Sequence, residues 1–401
     1  MIKVDTFLNC LQDSGVTFFT GVPDSLLKSF CAYVTDTCGE NYMIAANEGG
    51  AVGLAAGHYL ATGKPALVYM QNSGQGNAVN PLASLADPDV YSIPMVLLVG
   101  WRGEPGVKDE PQHLKQGKVT LSLFETLGIP TEVLPDDESE ALELTRKMVE
   151  RAKSEKRPVA LVVRKGLFAE YKLQNRVPDI AELKREDAIQ GILSPLPDDA
   201  VVVSTTGMIS REVYETRERL GQDHARDFLT VGSMGHAIMI AVGIAKAQPT
   251  RKVICLDGDG ASIMHLGNMA ICGQSCCSNL THIVLNNAAH DSVGGQPTVG
   301  GKIDFEKIAE ELGYNVLQSP QDQYIGARQL GVEEIADGMK WLFSVGEQVN
   351  QHELNPFDEL PQKPNFILFH VAKGARKDLG RPKEPPQVNK DLFMKTLDII
   401  N

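Results

Sequence analysis

The stretch ICLDGDGASIMHLGNMAICGQSCCSNLTHIVLNN, residues 254–287, places a polar cluster directly after each of two apolar runs. The runs, residues 253–256 and 282–285, are rich in aliphatic and β-branched side chains, which predicts buried parallel strands. Helix-compatible spacing over residues 261–272 joins them. We therefore predict a strand, helix, strand unit, and the carboxyl edge of such a sheet is where ligands bind.

The polar residues at that edge predict a metal-bridged diphosphate site. That edge carries Asp259, Asn286 and Asn287. Asp259 and Asn287 offer a carboxylate and an amide oxygen which, with nearby backbone carbonyls, suit Mg²⁺ when it also holds phosphate oxygens. Gly258 and Gly260 allow a tight turn, and the helix that follows presents N–H groups to an anion. For Gly-Asp-Gly alone, the alternative is a simple turn with Asp259 as a helix cap. The Asn pair at the next strand end favours the metal site.

Composition favours a small-molecule ligand. The 38 Lys and Arg residues against 51 Asp and Glu give a net charge of −13, which disfavours nucleic acid and offers no polybasic run for a membrane. The N-terminal segment MIKVDTFLNCLQDSG lacks a signal-peptide pattern, and no apolar run approaches the ~20 residues of a membrane span. Seven cysteines without framework spacing suit reduced thiols, so we expect a cytoplasmic protein.

Two parts of the chain share one local design. Residues 49–74 and 235–260 each read as a small-residue helix, a basic turn, and a strand that ends in a polar, glycine-containing loop. With the alternation of strand and helix patterns, this predicts a parallel α/β architecture of two domains with one fold. The predicted boundaries are residues 1–170 for the first domain, 171–187 for a polar linker, 188–385 for the second domain and 386–401 for a C-terminal helical tail.

A carboxylate precedes the small-residue helix of the first domain. Glu48 lies in Asn47-Glu48-Gly49-Gly50, after a strand signal at residues 42–46. One reading is that Asn47 or Glu48 caps the helix near its positive end. The other is that Glu48 is a functional carboxylate whose shielding from water raises its pKa.

Gly258-Asp259-Gly260 followed by Asn286-Asn287 resembles the cofactor motif of the thiamine diphosphate-dependent decarboxylases, a family that includes pyruvate decarboxylases and acetolactate synthases. The resemblance implies two parallel-sheet domains, one binding the cofactor's pyrimidine and one its diphosphate. The residues it implies at the diphosphate end are Asp259, Asn287 and the main-chain oxygen of Ala289 as Mg²⁺ ligands, with Gly258, Gly260 and Ala261 beside the diphosphate.

The same resemblance gives roles to further residues. Gly232-Ser233-Met234-Gly235 resembles the loop whose apolar residue, here Met234, holds the cofactor in a bent shape, while the Gly232 carbonyl accepts from the aminopyrimidine. Glu48 would bond a pyrimidine nitrogen and thereby promote removal of the thiazolium C2 proton. In the family, the first domain of one subunit faces the second domain of another, which implies at least a homodimer.

The chain has no room for the middle domain of the longer relatives, which narrows the resemblance to phosphonopyruvate and sulfopyruvate decarboxylases. The matching segments are GVPDSLL (21–27), YMQNSGQGNAVNPLASL (69–85), GWRGEPGVKDEPQHLKQG (100–117) and HDSVGGQPT (290–298). The implied reaction is the thiamine diphosphate- and Mg²⁺-dependent decarboxylation of 3-phosphonopyruvate to phosphonoacetaldehyde, in phosphonate biosynthesis. Sulfopyruvate decarboxylation, an acetolactate-type carboligase and a non-catalytic metal or nucleotide binder are the alternatives.

Residues 100–118 predict a loop that binds the substrate's anionic group. The loop follows a predicted strand at residues 93–99 and is rich in glycine and proline, so we expect it to be mobile and to close over a dianion. Its basic residues and histidine are Arg102, Lys108, His113, Lys115 and Lys118. A solvated surface loop is the alternative, because three acidic residues offset much of that charge.

Three more positions are candidates for contact with substrate. Asp24 and Ser25 either contact it or cap a helix that begins at Leu26. His290, directly beyond the Asn pair, is the candidate for proton delivery to the carbanion or enamine. His113 is the competing donor.

Overall fold

The computed structural model describes residues 1–323, 330–349 and 362–399. It divides into two compact units, the first formed by residues 1–177 with 290–297, and the second by residues 178–289 with the described residues from 298 onward. Sequence reasoning counted residues 290–297 with the second domain. The structure groups them with the first unit, where the short strand at Gln296–Pro297 lies near the helix Lys28–Thr37. The last two residues of the predicted tail lie outside the described residues.

The first unit contains a six-stranded parallel sheet. Its strands are β1 (Phe19–Gly21), β2 (Tyr42–Ile44), β3 (Ala66–Gln71), β4 (Met95–Gly100), β5 (Thr131–Val133) and β6 (Pro158–Val163). They lie in the order β2-β1-β3-β4-β6-β5. The helices are α1 (Val4–Asp13), α2 (Lys28–Thr37), α3 (Glu48–Thr62), α4 (Gln75–Pro81), α5 (Pro111–Thr126) and α6 (Glu138–Glu155).

The second unit contains another six-stranded parallel sheet. Its strands are β7 (Val201–Ser204), β8 (Asp227–Leu229), β9 (Val253–Gly258), β10 (Leu280–Asn286), β13 (Asn315–Val316) and β14 (Asn365–His370). A separate two-stranded sheet is formed by β11 (Ala289–His290) and β12 (Gln296–Pro297), of which residues 290–297 are grouped with the first unit. The helices are α7 (Arg185–Leu193), α8 (Met208–Leu220), α9 (Ala237–Ala247), α10 (Asp259–Met264), α11 (Gly267–Gly273), α12 (Phe305–Leu312), α13 (Pro320–Gln323), α14 (Val332–Val349) and α15 (Pro386–Thr396).

The two sheets have the same topology. The second sheet reads β8-β7-β9-β10-β14-β13. When the strands of each sheet are counted in chain order, both sheets follow the order 2-1-3-4-6-5. The predicted α/β class with two parallel-sheet domains is therefore confirmed, and the local likeness of the two halves extends to the whole sheet.

Apolar strands form a core on both faces of each sheet. In β3, Leu67 and Tyr69 point into one hydrophobic cluster while Val68 and Met70 point into another, as the alternation of side chains along a strand requires. All four are fully buried. This explains why the strands read as continuous apolar runs, the pattern of sheets covered by helices on both sides.

The helix predicted over residues 261–272 is instead two short helices, α10 and α11. The chain leaves the helical conformation at His265, whose φ and ψ are −133° and 56°. The His265 ring packs close to Gly235, and Asn268 donates to the Gly235 carbonyl at 2.9 Å. Packing against this loop therefore interrupts a helix that the local spacing allows. In the described part of the chain, no helix is long and apolar enough to cross a membrane.

Candidate active site

Glu48 is the first residue of α3 and lies in a buried position. Asn47 caps the helix, since its Oδ1 accepts from the Gly50 N–H at 2.8 Å. The carboxylate of Glu48 is therefore available for another role. It is 4% exposed, and Oε2 accepts from the amide of Asn77 at 2.7 Å. Burial raises the pKa of Glu48 above its ordinary value, and the Asn77 hydrogen bond opposes this rise.

The loop after β3 lies directly against Glu48. A Cβ atom at Gly74 would be 2.2 Å from Oε1 of Glu48, so only glycine allows this approach. A Cβ at Gly49 would be 2.8 Å from the Asn77 carbonyl oxygen. The first unit thus holds a protonatable carboxyl group between α3 and this loop. Sequence reasoning did not assign roles to Gly74 or Asn77, although both lie in the matched segment 69–85.

The same loop also holds Arg102, which follows β4. Asn72 donates to the Arg102 carbonyl at 2.7 Å, and its Oδ1 accepts from the Arg102 N–H at 3.2 Å. The Arg102 guanidinium forms a bidentate pair with Asp109 and donates through Nη1 to Ser25 Oγ at 2.8 Å. Arg102 and Ser25 are therefore neighbours, as their joint prediction as substrate contacts requires.

The prediction of a loop over residues 100–118 is correct only up to Glu110, because helix α5 begins at Pro111, where proline suits the first turn of a helix. The charge of this segment is also largely balanced. Arg102 is paired with Asp109, and Arg164 pairs with Glu104 of the same loop at 3.0 Å. The three lysines of the segment, Lys108, Lys115 and Lys118, are exposed. The segment therefore offers directed N–H and O–H donors, from Arg102 and Ser25, and no surplus of unpaired positive charge beside them. Binding of an anionic substrate group by these two residues stays a prediction.

Asp24 stabilises the turn that precedes α2, whose N-cap residue Leu27 forms no side-chain capping bond, so the predicted helix cap is not formed. Its Oδ2 accepts from the main-chain N–H groups of Leu26 and Leu27, at 2.9 and 3.2 Å. The side chain is fully buried beneath Gly100, and burial raises its pKa to about 6. Helix α2 begins at Lys28, two residues later than expected. Direct contact of Asp24 with substrate stays a prediction.

His113 lies on α5 beneath the loop that carries Arg102. It is 8% exposed, and its Nδ1 has no hydrogen-bond partner among the described residues. Burial and the neighbouring Arg102 charge lower its pKa to about 4, so the ring is neutral at neutral pH. Close packing fixes this region, because a Cβ at Gly117 would be 1.7 Å from the Gly103 carbonyl oxygen. Catalysis or substrate binding by His113 stays a prediction.

In the second unit, Asp259 is the first residue of α10. It is 3% exposed and accepts hydrogen bonds from the Thr298 hydroxyl and from the main-chain N–H of Asn287. Burial raises its pKa to about 6. Among the described residues, no Lys, Arg or His forms an ion pair with this carboxylate. A buried carboxylate without a cation is the environment in which a bound metal ion would supply the missing charge.

The Asn pair at the end of β10 forms the neighbouring turn. Asn286 donates to the Gly300 carbonyl at 2.8 Å and accepts from the Ala288 N–H at 3.0 Å. Asn287 Oδ1 accepts from the Ala289 N–H, also at 3.0 Å. A Cβ at Gly300 would be 2.6 Å from Oδ2 of Asp259 and 2.8 Å from Oδ1 of Asn286.

The residues present fit the predicted Mg²⁺ and diphosphate. A carboxylate, an amide oxygen and a main-chain carbonyl, from Asp259, Asn287 and Ala289, belong to adjoining turns of one unit, and all three are oxygen donors. Gly258 and Gly260 flank Asp259 at the start of α10. Their individual cofactor contacts, and that of Ala261, stay predictions.

The loop Gly232-Ser233-Met234-Gly235 packs onto α10. Ser233 and Gly235 have left-handed φ values of 54° and 82°. A Cβ at Gly235 would be 3.0 Å from the Ala261 carbonyl oxygen and 2.7 Å from the His265 ring. The structure therefore brings Gly232 and the partly buried Met234 to the same part of the second unit as Asp259. Their contacts with the cofactor stay predictions.

His290 follows the Asn turn and is grouped with the first unit. The side chain is partly buried, and burial lowers its pKa to about 4. Its carbonyl accepts from the Gly295 N–H at 3.0 Å, which closes the turn between β11 and β12. At neutral pH the imidazole is therefore neutral. Its role as a proton donor stays a prediction.

Comparison with known proteins identifies both units. Residues 3–122 match the family described as "Thiamine pyrophosphate enzyme, N-terminal TPP binding domain", and residues 205–334 match its "C-terminal TPP binding domain". The phosphonopyruvate decarboxylases of Streptomyces viridochromogenes and Streptomyces hygroscopicus are each 35% identical, with 96% of this chain and 92% of theirs aligned. The sulfopyruvate decarboxylase of Methanosarcina acetivorans is 29% identical, over 76% of this chain and 81% of its own.

These matches agree with the site and define a thiamine diphosphate enzyme with both cofactor-binding domains on one chain. The chain belongs to the thiamine diphosphate-dependent keto acid decarboxylases, in the group that contains phosphonopyruvate and sulfopyruvate decarboxylases. It is a carboxy-lyase with thiamine diphosphate as cofactor and Mg²⁺ as the family's usual metal. The predicted family, enzyme class and cofactor are thus confirmed.

Proposed function

We propose that this enzyme decarboxylates 3-phosphonopyruvate to phosphonoacetaldehyde and CO₂, in phosphonate biosynthesis. The observation that carries the proposal is the likeness, along nearly the whole chain, to two proteins named phosphonopyruvate decarboxylase. Support from the structure is the Arg102 and Ser25 pair, which offers N–H and O–H donors suited to a phosphonate.

Asp259, Asn287 and the Ala289 carbonyl would hold Mg²⁺, and through it the diphosphate of the cofactor. When bound, thiamine diphosphate supplies the electron sink that decarboxylation of a 2-keto acid requires. Glu48 would hold a proton on its buried carboxyl group and share it with a pyrimidine nitrogen. Its raised pKa suits this task, because a group shares a proton best when its pKa lies near the working pH.

Arg102 Nη1 and Ser25 Oγ would bind the anionic tail of the substrate and set its orientation. Asp24 would keep Ser25 in place, since it caps the turn that carries this serine. His290 and His113 are the two candidates for proton delivery. Both are neutral at neutral pH, so each would act as an N–H donor with no charge of its own.

A homo-oligomer, at least a dimer, belongs to the same proposal, with the first unit of one subunit facing the second unit of another, as in the family. We also place the enzyme in the cytoplasm, in keeping with seven free cysteines. Light scattering during gel filtration tests the oligomer, and a monomer that is active at assay concentration would contradict it.

Sulfopyruvate is the second candidate substrate, because a sulfopyruvate decarboxylase is also a relative over three quarters of this chain. The discriminating experiment measures CO₂ release by the purified enzyme with Mg²⁺ and thiamine diphosphate from phosphonopyruvate, sulfopyruvate and pyruvate. We expect a kcat/KM for phosphonopyruvate at least ~100-fold above both others. A preference for sulfopyruvate would support the proposed decarboxylation but show that sulfopyruvate, not phosphonopyruvate, is the substrate. CO₂ release from pyruvate with acetolactate as the product would favour an acetolactate-type carboligase. No CO₂ from any of them would favour a non-catalytic binder.

A further inference from the structure

Asp109 receives four N–H donors in the loop between β4 and α5. Its Oδ2 accepts from Arg102 Nε at 2.8 Å and from the Gly103 N–H at 2.7 Å. Its Oδ1 accepts from Arg102 Nη2 at 2.5 Å and from the Glu110 N–H at 2.8 Å. The side chain is 14% exposed, so water competes little for these bonds. The carboxylate is therefore held from two sides, by the loop's own backbone and by Arg102.

The bond to Asp109 fixes which edge of Arg102 is free to act. Nε and Nη2 face the carboxylate, and Nη1 points to Ser25 Oγ at 2.8 Å. Asn72 holds the main chain of Arg102 through its N–H and its carbonyl. Because backbone and guanidinium are both fixed, Nη1 donates one N–H to Ser25 Oγ and its second N–H has a fixed direction as well.

We propose that Asp109 is a positioning residue for anion recognition. By holding Arg102 in a bidentate pair, it directs Nη1 and the Ser25 hydroxyl together at the anionic tail of the keto acid. This inference rests on the proposed function and deepens it. The ion pair also balances the charge of Arg102, so the position of the hydrogen-bond donors selects the anionic tail. A substrate without this tail would not be bound more tightly by these donors.

The opposite reading is that Asp109 competes with the substrate for Arg102. The two main-chain N–H groups argue against it, because Gly103 and Glu110 hold the carboxylate in place without any contribution from Arg102. The two readings predict opposite signs. Loss of Asp109 weakens binding of the tail if the residue positions Arg102, and strengthens it if the residue competes.

The test uses the holoenzyme with Asp109→Asn, which keeps the size of the side chain but removes its charge and one acceptor. The matched control is Glu104→Gln, a loop carboxylate that pairs with Arg164. For Asp109→Asn we expect KM for phosphonopyruvate to rise at least ~10-fold, with kcat within ~3-fold of wild type. The kcat/KM for pyruvate, which lacks the tail, should change less than ~2-fold. Glu104→Gln should match wild type with both substrates.

Calorimetric binding of 3-phosphonopropionate, which carries the tail but no keto group, provides a readout that does not need turnover. We expect Asp109→Asn to bind it at least ~10-fold more weakly than wild type. Unchanged or tighter binding would overturn the inference, as would equal losses for phosphonopyruvate and pyruvate together with a lower Tm. Wild-type binding of 3-phosphonopropionate without decarboxylation of phosphonopyruvate would contradict the proposed function alone. No binding to wild type would overturn the inference about Asp109, and would overturn the proposed function as well only if phosphonopyruvate is not decarboxylated.

Discussion

The two halves of this chain use one strand order to present different chemistry at corresponding positions. The second strand of each sheet leads to a small-residue helix, α3 in the first unit and α9 in the second. The third strand leads to the Gly74 loop in one and to Gly258-Asp259-Gly260 in the other. After the fourth strand, the first unit carries Arg102, where the second carries Asn286 and Asn287. The strands end at corresponding positions in the two sheets, and the residues at these positions determine what each half does.

Each half buries one acid at the start of a helix, for different reasons. Glu48 and Asp259 are the first residues of α3 and α10, and they are 4% and 3% exposed. Burial raises the pKa of both. In the proposed mechanism Glu48 would benefit from the raised pKa, because it would share a proton. Asp259 would have to lose its proton to bind a metal ion, so there the raised pKa would be a cost that Mg²⁺ offsets.

The largest expected effect separates these roles through Glu48→Gln. We expect kcat to fall by about 10²- to 10⁴-fold, the range for loss of a proton-transfer group. Affinity for Mg²⁺ and thiamine diphosphate should stay within ~3-fold, measured by calorimetry. The matched control is Glu138→Gln, a partly exposed glutamate that is also the first residue of its helix, α6. Unchanged turnover in Glu48→Gln would remove Glu48 from the mechanism.

Asp259→Asn should reverse this pattern. Loss of a ligand charge should weaken Mg²⁺ and thiamine diphosphate binding by about 100-fold. The cofactor-free variant should nevertheless be more stable than wild type at pH 8, by up to about 3 kcal/mol, because no charge is then buried.

The pH dependence of that stability difference follows from the raised pKa. In the folded protein the Asp259 pKa is about 6, above its ordinary 3.8, so the wild type loses stability as pH rises through 4 to 6. The advantage of the variant should disappear below pH 4, as urea denaturation can show. Asp304→Asn is the control, because the pKa of exposed Asp304 is lowered and its loss should destabilise at pH 8. A destabilised Asp259→Asn at pH 8 would show that its carboxylate is compensated within the chain.

Gly74→Ala tests how closely the Glu48 side chain must be held. The added Cβ would be 2.2 Å from Glu48 Oε1, so the carboxyl group or the loop must move. We expect kcat to fall about 10- to 100-fold, since small displacements of a reacting group have effects of this size. Gly76→Ala, where the added Cβ meets no atom within 4 Å, should retain wild-type activity. Equal activity of both variants would mean that the position of Glu48 is not limiting.

The smallest expected effects come from a matched pair, Asn77→Ala and Thr298→Val, each of which removes one hydrogen bond from a buried carboxylate. Both bonds lower the pKa of their acid, so both variants should raise it. For Asn77→Ala, the acid limb of the kcat/KM profile should move to higher pH, with a loss of about 3- to 10-fold near neutrality. For Thr298→Val, Mg²⁺ binding should be lost on acidification, and this loss should begin at a higher pH than in wild type. A shift in either profile towards lower pH would contradict this account.

The sequence was sufficient to predict the elements that depend on local pattern. Apolar runs mark the strands, and a polar residue directly after such a run lies at the carboxyl edge of the sheet. Asp259 and Asn287, 28 positions apart, therefore lie in adjoining turns as predicted. The sequence also predicted that Glu48 lies at the start of a helix. The structure shows that Asn47 caps this helix and that Glu48 is buried, so the two readings of this segment are compatible.

What the sequence did not predict depends on contacts between distant loops. Asn77 reaches Glu48 across 29 positions, and Thr298 reaches Asp259 across 39. Neither spacing has a periodic signal that marks such a pair. The interruption of the predicted helix at His265 has the same origin, because it depends on the approach of Gly235 from another part of the chain. Arg102 and Asp109 are close in sequence. The charges of the loop nevertheless offered three acidic residues as possible partners for Arg102 and did not indicate which one pairs with it.

In the described part of the chain, neither six-stranded sheet takes a strand from the other half. Residues 174–177, at the boundary between the units, are exposed and outside every helix and strand. The hydrogen bonds between strands of either sheet therefore do not require the chain to be continuous at this point. What the covalent link provides is stoichiometry, because each round of synthesis delivers one N-terminal and one C-terminal cofactor-binding domain in equal number.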